Sequence, residues 1–420
     1  MVIEMVLPVQ GEACHNRRNN TVNARSRPPY AAILLLGLCA ITVYSYLRGQ
    51  NDTPEWAGKI YYVIDYSDGL IRRGLIGQLF MLVYTRAQTA QIWAMALAMH
   101  RAVCFAVMGG ILVWFWSVIW TNRRFAPGRL ALIYLLFAAA QFYPTLAATN
   151  TYLDAYVFAL VVAAFAAAAY GRLVLAFACG FIAPFIHDIS VVLWLSLIIV
   201  MVWRAFLPGT PRPVSGRIAA CLVCMAPFIG QAVVASFESH AALMHQLAIA
   251  PLPPAILDLM RREQLGHSIL GDFAVMRGMY AANPARAIIS IIAFSLPSAG
   301  MIALARPALD RRAMAALALA ALAPLAVLIL EFDLSRFTVS TQFTAMLAIL
   351  FIAATPPAAS AATPISTTRR EKLFALPAVA LLLLMPLVYG YFDTTLIRHN
   401  EVLDRTPVLG PALQEIYHLF

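Results

Sequence analysis

Charged side chains are scarce in this chain of 420 residues. They make up 12% of the sequence and hydrophobic residues 62%, whereas roughly 25% of the residues in a soluble domain are charged. Apolar runs of about 18 residues recur along the whole length. The runs lack the period-two alternation of a membrane barrel. We therefore expect an all-α polytopic membrane protein, with the lipid bilayer as its main partner.

Cysteines are also few, and none of the six lies in a loop expected to face away from the cytoplasm. No disulfide framework is expected. Cys221 and Cys224 form a C-x-x-C pair within an apolar run, and without a second ligand pair they do not indicate zinc. The net charge of +10 does not indicate nucleic acid, because the basic residues are scattered rather than gathered in a stripe.

Eleven apolar windows are the predicted spans, and the second is long enough for a helix plus an interfacial stub. His100 and Arg101 fall inside that window, and we expect them at the interface, with the span starting near 102. The windows are 30–46, 90–120, 129–145, 154–170, 172–187, 189–204, 217–236, 287–304, 313–331, 337–354 and 374–391.

The windows lie in a single predicted transmembrane domain, 30–391, between a basic tail, 1–29, and a second tail, 392–420. Two long loops, 47–89 and 237–286, are expected to contain interfacial helices. No cleavable signal peptide is predicted.

Arginine and lysine set the expected orientation. With the tail 1–29 in the cytoplasm, alternate short loops hold most of the basic residues, as the positive-inside rule requires. Most aspartates and glutamates then face the other side, together with both long loops and the C-terminal tail. The excess of arginine over lysine is typical of a GC-rich bacterial genome. We therefore predict a multi-pass protein of the bacterial cytoplasmic membrane.

The stretch DYSDGLIRRGLIGQLF, residues 65–80, carries the densest group of charges. If it is helical, Asp68 and Arg72 are four residues apart and can pair. Asp65 and Asp68 are suited to accept a proton or hold a metal, and Arg72 and Arg73 to bind a phosphate. Alternatively, this is an interfacial helix whose arginines bind lipid headgroups and whose aspartates neutralise them.

Three further loops expected on the same side each supply a carboxylate. Asp154 begins a predicted span, where it either serves a site or simply complements the helix dipole. His187 and Asp188 share a tight turn, as candidate acid or base or as structural residues. Asp333 and Arg336 share another turn, where they either bind an anion or form a structural salt bridge. Because these loops converge, we predict a single site. Its carboxylates and arginines suit a reaction in which a nucleophile displaces an anionic leaving group.

This combination resembles the GT-C superfamily of integral membrane glycosyltransferases, which have many spans and acids in the first extracytoplasmic loop. The resemblance implies a polyprenyl-phosphate-linked sugar donor and an extracytoplasmic acceptor in a cell-envelope glycan. It implies that Asp65 or Asp68 is the catalytic base or metal-binding acid, and that Arg72, Arg73 and Arg336 hold the lipid phosphate. The acids here are spaced D-x-x-D rather than adjacent.

Other functions remain open at this point. An O-antigen-type polymerase or ligase would use His240, His245 and His267 of the loop 237–286. A transporter or flippase of lipid-linked glycans would place ionisable groups near the membrane midplane, often in repeated halves. A purely structural membrane subunit is a further alternative. The sequence does not fix the cofactor, with a divalent metal one candidate, nor the oligomeric state.

Overall fold

The computed structural model describes eleven stretches of the chain, and it is helical apart from one short hairpin. The described residues are 29–50, 61–71, 73–149, 152–207, 214–254, 257, 284–329, 334–355, 366–384, 387–390 and 395–398. The tails that we predicted for 1–29 and 392–420 lie largely outside these stretches.

The described residues form fourteen α-helices, two 3₁₀ segments and two antiparallel strands. The helices are α1 Ala31–Leu47, α2 Leu75–Met81, α3 Thr89–Thr121, α4 Pro127–Ala139, α5 Phe142–Ala148, α6 Asp154–Ala169, α7 Leu173–Ile186, α8 Ile189–Ala205, α9 Val214–Phe237, α10 His240–Ile249, α11 Pro284–Ala305, α12 Arg311–Leu322, α13 Leu334–Ala354 and α14 Arg369–Leu384. The 3₁₀ segments are Arg306–Ala308 and Ala323–Ile329, and β1 Leu387–Gly390 pairs with β2 Thr395–Arg398.

Each of the eleven predicted windows overlaps a helix, although the ninth, 313–331, is α-helical only to Leu322 and continues as a 3₁₀ segment to Ile329. The second window is one continuous helix, α3, without the separate stub that we allowed for. The last window was predicted to run to 391, but α14 ends at Leu384 and β1 follows at Leu387.

Five of the described helices are long and apolar enough to cross a membrane: Thr89–Thr121, Pro127–Ala148, Val214–Phe237, Ile291–Ala308 and Phe337–Ala354. Four further apolar helices, α1, α6, α7 and α8, are shorter. This is the composition of a helical membrane protein.

Helix α13 lies at the centre of the bundle, in contact with α3 to α6, α8, α11 and α12. In its apolar window, 94% of the residues are buried, against 28% for the window in α9. The outward face of α9 is apolar, with Ile218, Leu222, Met225 and Ile229 all exposed at helical spacing. An apolar exposed face of this kind matches a hydrocarbon solvent rather than water.

The span that contains α4 and α5 is interrupted at residues 140–141, and two buried side chains hydrogen-bond to the interruption. The Arg48 guanidinium donates to the carbonyls of Ala139 and Ala140, both at 2.7 Å. The Gln342 side chain of α13 accepts from the backbone N–H groups of Gln141 and Phe142 at 3.1 and 3.0 Å. Helix ends expose backbone groups that must be satisfied away from water, and these two side chains satisfy them.

Helix α1 ends at Leu47, and we call the end of the bundle where Leu47 lies the first-loop end. At the opposite end, the buried guanidinium of Arg129 contacts both carboxylate oxygens of Glu371 at 2.9 and 3.0 Å. Arg204, at the same end, donates to the carbonyls of Ala168 and Ala169 and so caps α6. The charges at this opposite end therefore hold helices together.

The two long loops meet at the first-loop end. Leu70 forms a parallel bridge with Glu238, and the Ser239 N–H donates to the Leu70 carbonyl at 2.9 Å. Helices α2 and α10 occupy the described parts of these loops, where we expected helices. Residues 255–256 and 258–283 of the second loop lie outside the described residues.

Candidate functional site

The residues 61–74, which we call the first-loop segment, fold back tightly on α2. A Cβ atom on Gly77 would stand 1.8 Å from the Ile64 carbonyl oxygen, so only glycine permits this approach. The side-chain oxygen of Gln78 accepts from the Tyr66 N–H at 2.9 Å. The contacts fix the segment and its charged residues against the bundle.

The helix that we considered for residues 68–80 begins only at Leu75. Gly69 has φ of 137° and Arg73 has φ of 64°, and neither value is compatible with a right-handed helix. The expected i, i+4 geometry between Asp68 and Arg72 is therefore wrong, and Arg72 itself lies outside the described residues. Asp68 instead faces the second loop.

Asp65 is buried and serves to hold the first-loop segment. Its Oδ1 accepts from the Ser67 N–H at 2.8 Å, a local turn that aspartate favours. Its Oδ2 lies 2.9 Å from Nη2 of Arg86, which follows α2. With both carboxylate oxygens engaged and 7% of the side chain exposed, Asp65 is poorly placed to take a proton from a substrate.

Asp68 is joined to α10, and the joined residues form what we call the docking cluster. The Asp68 Oδ2 lies 3.0 Å from Nδ1 of His245 and also accepts from the Gln246 amide. The same amide donates to the Ser67 hydroxyl at 2.9 Å, and the Gln246 oxygen accepts from Arg86. Hydrogen bonds from His245 and Gln246 lower the pKa of Asp68, because they stabilise its carboxylate form.

A second group, which we call the quartet, links the first-loop segment to helix ends. Arg73 Nη2 lies 2.8 Å from Asp188 Oδ1, and Arg73 Nη1 donates to the Tyr61 hydroxyl at 2.9 Å. The same Asp188 oxygen lies 2.7 Å from Nδ1 of His187. The Nε2 of His187 lies 3.6 Å from Asp154 Oδ1. The quartet is thus Arg73, Asp188, His187 and Asp154.

The quartet follows from where its members sit on helices. Asp154 is the first residue of α6, and His187 and Asp188 form the turn between α7 and α8. These helix ends lie at the first-loop end, so Arg73 reaches them from the loop. The Ile189 N–H also lies 3.2 Å from His187 Nδ1. The shorter contact to Asp188 favours a proton on Nδ1 rather than acceptance from Ile189.

His100 extends this polar region into the bundle. It is wholly buried in the first half of α3, and its Nε2 lies 3.4 Å from the Cys104 sulfur. The Tyr62 and Tyr156 hydroxyls lie 3.4 Å apart, and Tyr156 follows Asp154 by two residues on α6. Ionisable groups therefore continue from the loop surface into the helical core.

Of the nine predicted site residues, six fall into the contacts above and three do not. Asp65, Asp68, Arg73, Asp154, His187 and Asp188 are described and engaged. Arg72 and Asp333 lie outside the described residues, and Arg336 is the third residue of α13, in a part of the helix whose side chains are not described.

Sequence reasoning did not include Arg86, His245 or Gln246 among the site residues. His245 was visible as a histidine in a long loop, but nothing in the sequence related it to Asp68 across 177 positions. Arg86 stood outside the dense stretch 65–80. Its contact to Asp65 depends on the turn that brings α2 back over the first-loop segment.

Metal ligation has little basis in the described part of the chain. No group of three or more His, Cys, Asp or Glu side chains is arranged there to hold a metal ion. The carboxylates of the site contact arginine, histidine, the Gln246 amide or backbone N–H instead. Comparison with family models, curated proteins and solved structures finds no match for this chain.

Proposed function

We propose that this protein is an integral membrane glycosyltransferase. It moves a sugar from a polyprenyl-phosphate-linked donor to an extracytoplasmic acceptor of the cell envelope in a bacterial cytoplasmic membrane. One observation carries the proposal: ionisable side chains from four distant segments meet at one end of a bundle of apolar helices. These segments are 61–74, 154, 187–188 and 245–246. A lipid-linked substrate must present its phosphate and sugar at such an end.

The proposal includes an orientation. All eleven predicted windows cross the membrane, the N-terminus is cytoplasmic, and the first-loop end faces away from the cytoplasm. The scatter of basic residues supports this. Cysteines introduced in a cysteine-free background at Thr85, four residues before α3, and at Thr121, its last residue, both exposed, test it. We expect Thr85→Cys to react with an impermeant maleimide in intact cells and Thr121→Cys to react only after permeabilisation; the reverse pattern would invert the topology.

Arg73 is the described group best suited to the donor phosphate. Tyr61 and Asp188 hold its guanidinium in a fixed orientation, and a preoriented fork binds phosphate oxygens with little loss of conformational freedom. The adjacent Arg72 supplies a second cation in the proposal. The quartet keeps Arg73 in place, because His187 ties Asp188 to the ends of α6 and α8.

The acceptor hydroxyl then attacks the anomeric carbon of the donor sugar. The bond between that carbon and the phosphate oxygen breaks, and polyprenyl phosphate leaves with the electron pair. A base at the docking cluster takes the hydroxyl proton. Such a base typically contributes about 10²- to 10⁴-fold to the rate, and within the cluster the side chains of Asp68 and His245 are 33% and 59% exposed.

Measurements of lipid binding separate phosphate binding by Arg73 from proton transfer at the docking cluster. Polyprenyl phosphate binding to purified protein is measured by native mass spectrometry for the wild type, Arg73→Gln and Asp68→Asn. We expect Arg73→Gln to weaken binding at least tenfold and Asp68→Asn to bind as the wild type does. Arg73→Lys, which keeps the charge but not the fork, should be intermediate. Absence of polyprenyl phosphate binding to the folded wild type would refute the proposal.

Two other functions draw support from particular contacts. The engagement of His245 in the second loop favours an O-antigen-type polymerase or ligase, which transfers lipid-linked glycans by loop histidines. The buried groups His100, Asp154 and His187 favour a proton-linked transporter or flippase, because such chains of ionisable residues serve as proton relays in membranes. Proton-dependent movement of a lipid-linked glycan across proteoliposomes, without sugar transfer, would identify the transporter.

A further inference from the structure

The docking cluster contains a second candidate for the proton acceptor, and it is a histidine rather than an aspartate. Asp68 Oδ2 lies 3.0 Å from Nδ1 of His245. The His245 side chain is 59% exposed, and no described residue hydrogen-bonds to its other ring nitrogen, Nε2. A carboxylate on one ring nitrogen and an open site at the other is the arrangement of a general base with its orienting acid.

We propose that His245 Nε2 accepts the proton of the acceptor hydroxyl, and that Asp68 is a positioning residue that holds the imidazole by Nδ1. This inference rests on the proposed sugar transfer and assigns its base. In the step, the acceptor O–H proton moves to Nε2 as the acceptor oxygen bonds to the anomeric carbon. The electron pair of the broken carbon–oxygen bond leaves with polyprenyl phosphate, and the imidazolium later returns its proton to water.

The chemistry of the two side chains favours this division of roles. The Asp68 carboxylate already accepts from His245 and from the Gln246 amide, and both contacts lower its pKa. A carboxylate whose pKa is lowered is a weaker base than an ordinary aspartate. Histidine changes its charge between about pH 5 and 8 and is matched to proton transfer near neutrality.

The surroundings of His245 fix its orientation without blocking Nε2. The next residue, Gln246, is wholly buried and bonds to Ser67, Asp68 and Arg86. Among the described residues, the charged groups near His245 are Asp68, to which it is hydrogen-bonded, and Arg86, which acts on Asp68 and pairs with Asp65. The buried glutamine therefore anchors α10 while its neighbour, His245, stays exposed.

The competing interpretation is that His245 only fastens the second loop to the first. Substitution by asparagine separates the two, because the asparagine amide nitrogen occupies the position of Nδ1 and still donates to Asp68. His245→Asn therefore keeps the docking contact and removes the base. His245→Gln is the second variant, and Ile249→Ala is the control, since Ile249 is exposed on the same helix and lies outside the docking cluster.

The test is the rate of sugar transfer from a polyprenyl-phosphate-linked donor as a function of pH. We expect His245→Asn to lower kcat at neutral pH by about 100-fold or more and to remove the acid limb of the wild-type profile, while KM for the donor stays within about threefold. Ile249→Ala should retain the acid limb and a kcat within about threefold of the wild type. If His245→Asn and His245→Gln keep the wild-type kcat and acid limb, His245 is a docking residue and the inference is wrong. If the wild type transfers no sugar at any pH, the proposed function itself fails.

Discussion

The buried side chain of Gln342 gives a stability prediction that can be worked from its contacts. Its oxygen accepts from two N–H groups at the interruption between α4 and α5, and its amide donates to the Phe294 carbonyl of α11 at 2.8 Å. Gln342→Leu keeps nearly the same volume and removes all three hydrogen bonds. We expect it to destabilise the fold without creating a large cavity.

The size of the destabilisation caused by Gln342→Leu depends on whether the helices are surrounded by lipid or by water. Hydrogen bonds between membrane helices contribute about 0.6 kcal/mol on average and about 1.7 kcal/mol at most. Three such bonds give roughly 2 to 5 kcal/mol, which corresponds to a change of about 30-fold or more in the unfolding equilibrium. The larger figure is favoured if the freed N–H groups find no other partner in the lipid.

The control lies two residues along the same helix. Thr344 is wholly buried, and its single hydroxyl proton has three carbonyl acceptors within 3.3 Å, those of Ala321, Ser340 and Thr341. Thr344→Val removes one donor of similar size, so we expect a loss of about 0.6 kcal/mol or less. Reversible unfolding with SDS in mixed micelles measures both variants. A Gln342→Leu value within 0.5 kcal/mol of the Thr344→Val value would refute the claim that Gln342 stabilises the interruption.

Two further predictions concern the first-loop end. Gly77→Ala should lower stability by about 1–3 kcal/mol or more and weaken polyprenyl phosphate binding, because the new methyl collides with the Ile64 carbonyl. Gly37→Ala, which meets nothing within 4 Å, should be neutral in the same unfolding assay. The pKa of Asp68 is lowered in the folded state, so its contribution to docking is present above its unfolded pKa and is lost as pH falls through the folded value. Hydrogen exchange of the two loops should increase in that acid range for the wild type, and Asp68→Asn should show no such transition.

The helical part of the fold was predictable because apolar composition and window length determine it. The interruption at residues 140–141 was not, since Arg48 and Gln342 satisfy it from positions 92 and 201 residues away. No local pattern carries contacts of that separation. The end of α14 at Leu384 was also not predicted, because the sequence remains apolar for several residues beyond the helix.

The candidate site was predictable in outline and not in its pairings. Hydrophobic windows and the distribution of charge predicted that Asp154, His187 and Asp188 lie on the same side of the membrane as the first loop. In the structure Arg73 of that loop contacts Asp188. The expected pairing of Asp68 depended on a helix that positive φ values at Gly69 and Arg73 prevent. Its actual partner, His245, comes from a loop whose docking depends on tertiary contacts.

Sugar transfer by the purified protein in proteoliposomes tests the central claim most directly. The donor is a polyprenyl phosphate with an isotopically labelled sugar, and the readouts are released polyprenyl phosphate and label in the acceptor fraction of a cell-envelope extract. We predict stoichiometric release and transfer by the wild type, and loss of at least 100-fold in Asp68→Asn with lipid binding retained. Donor that stays intact with the folded, lipid-binding wild type would contradict the assignment as a glycosyltransferase.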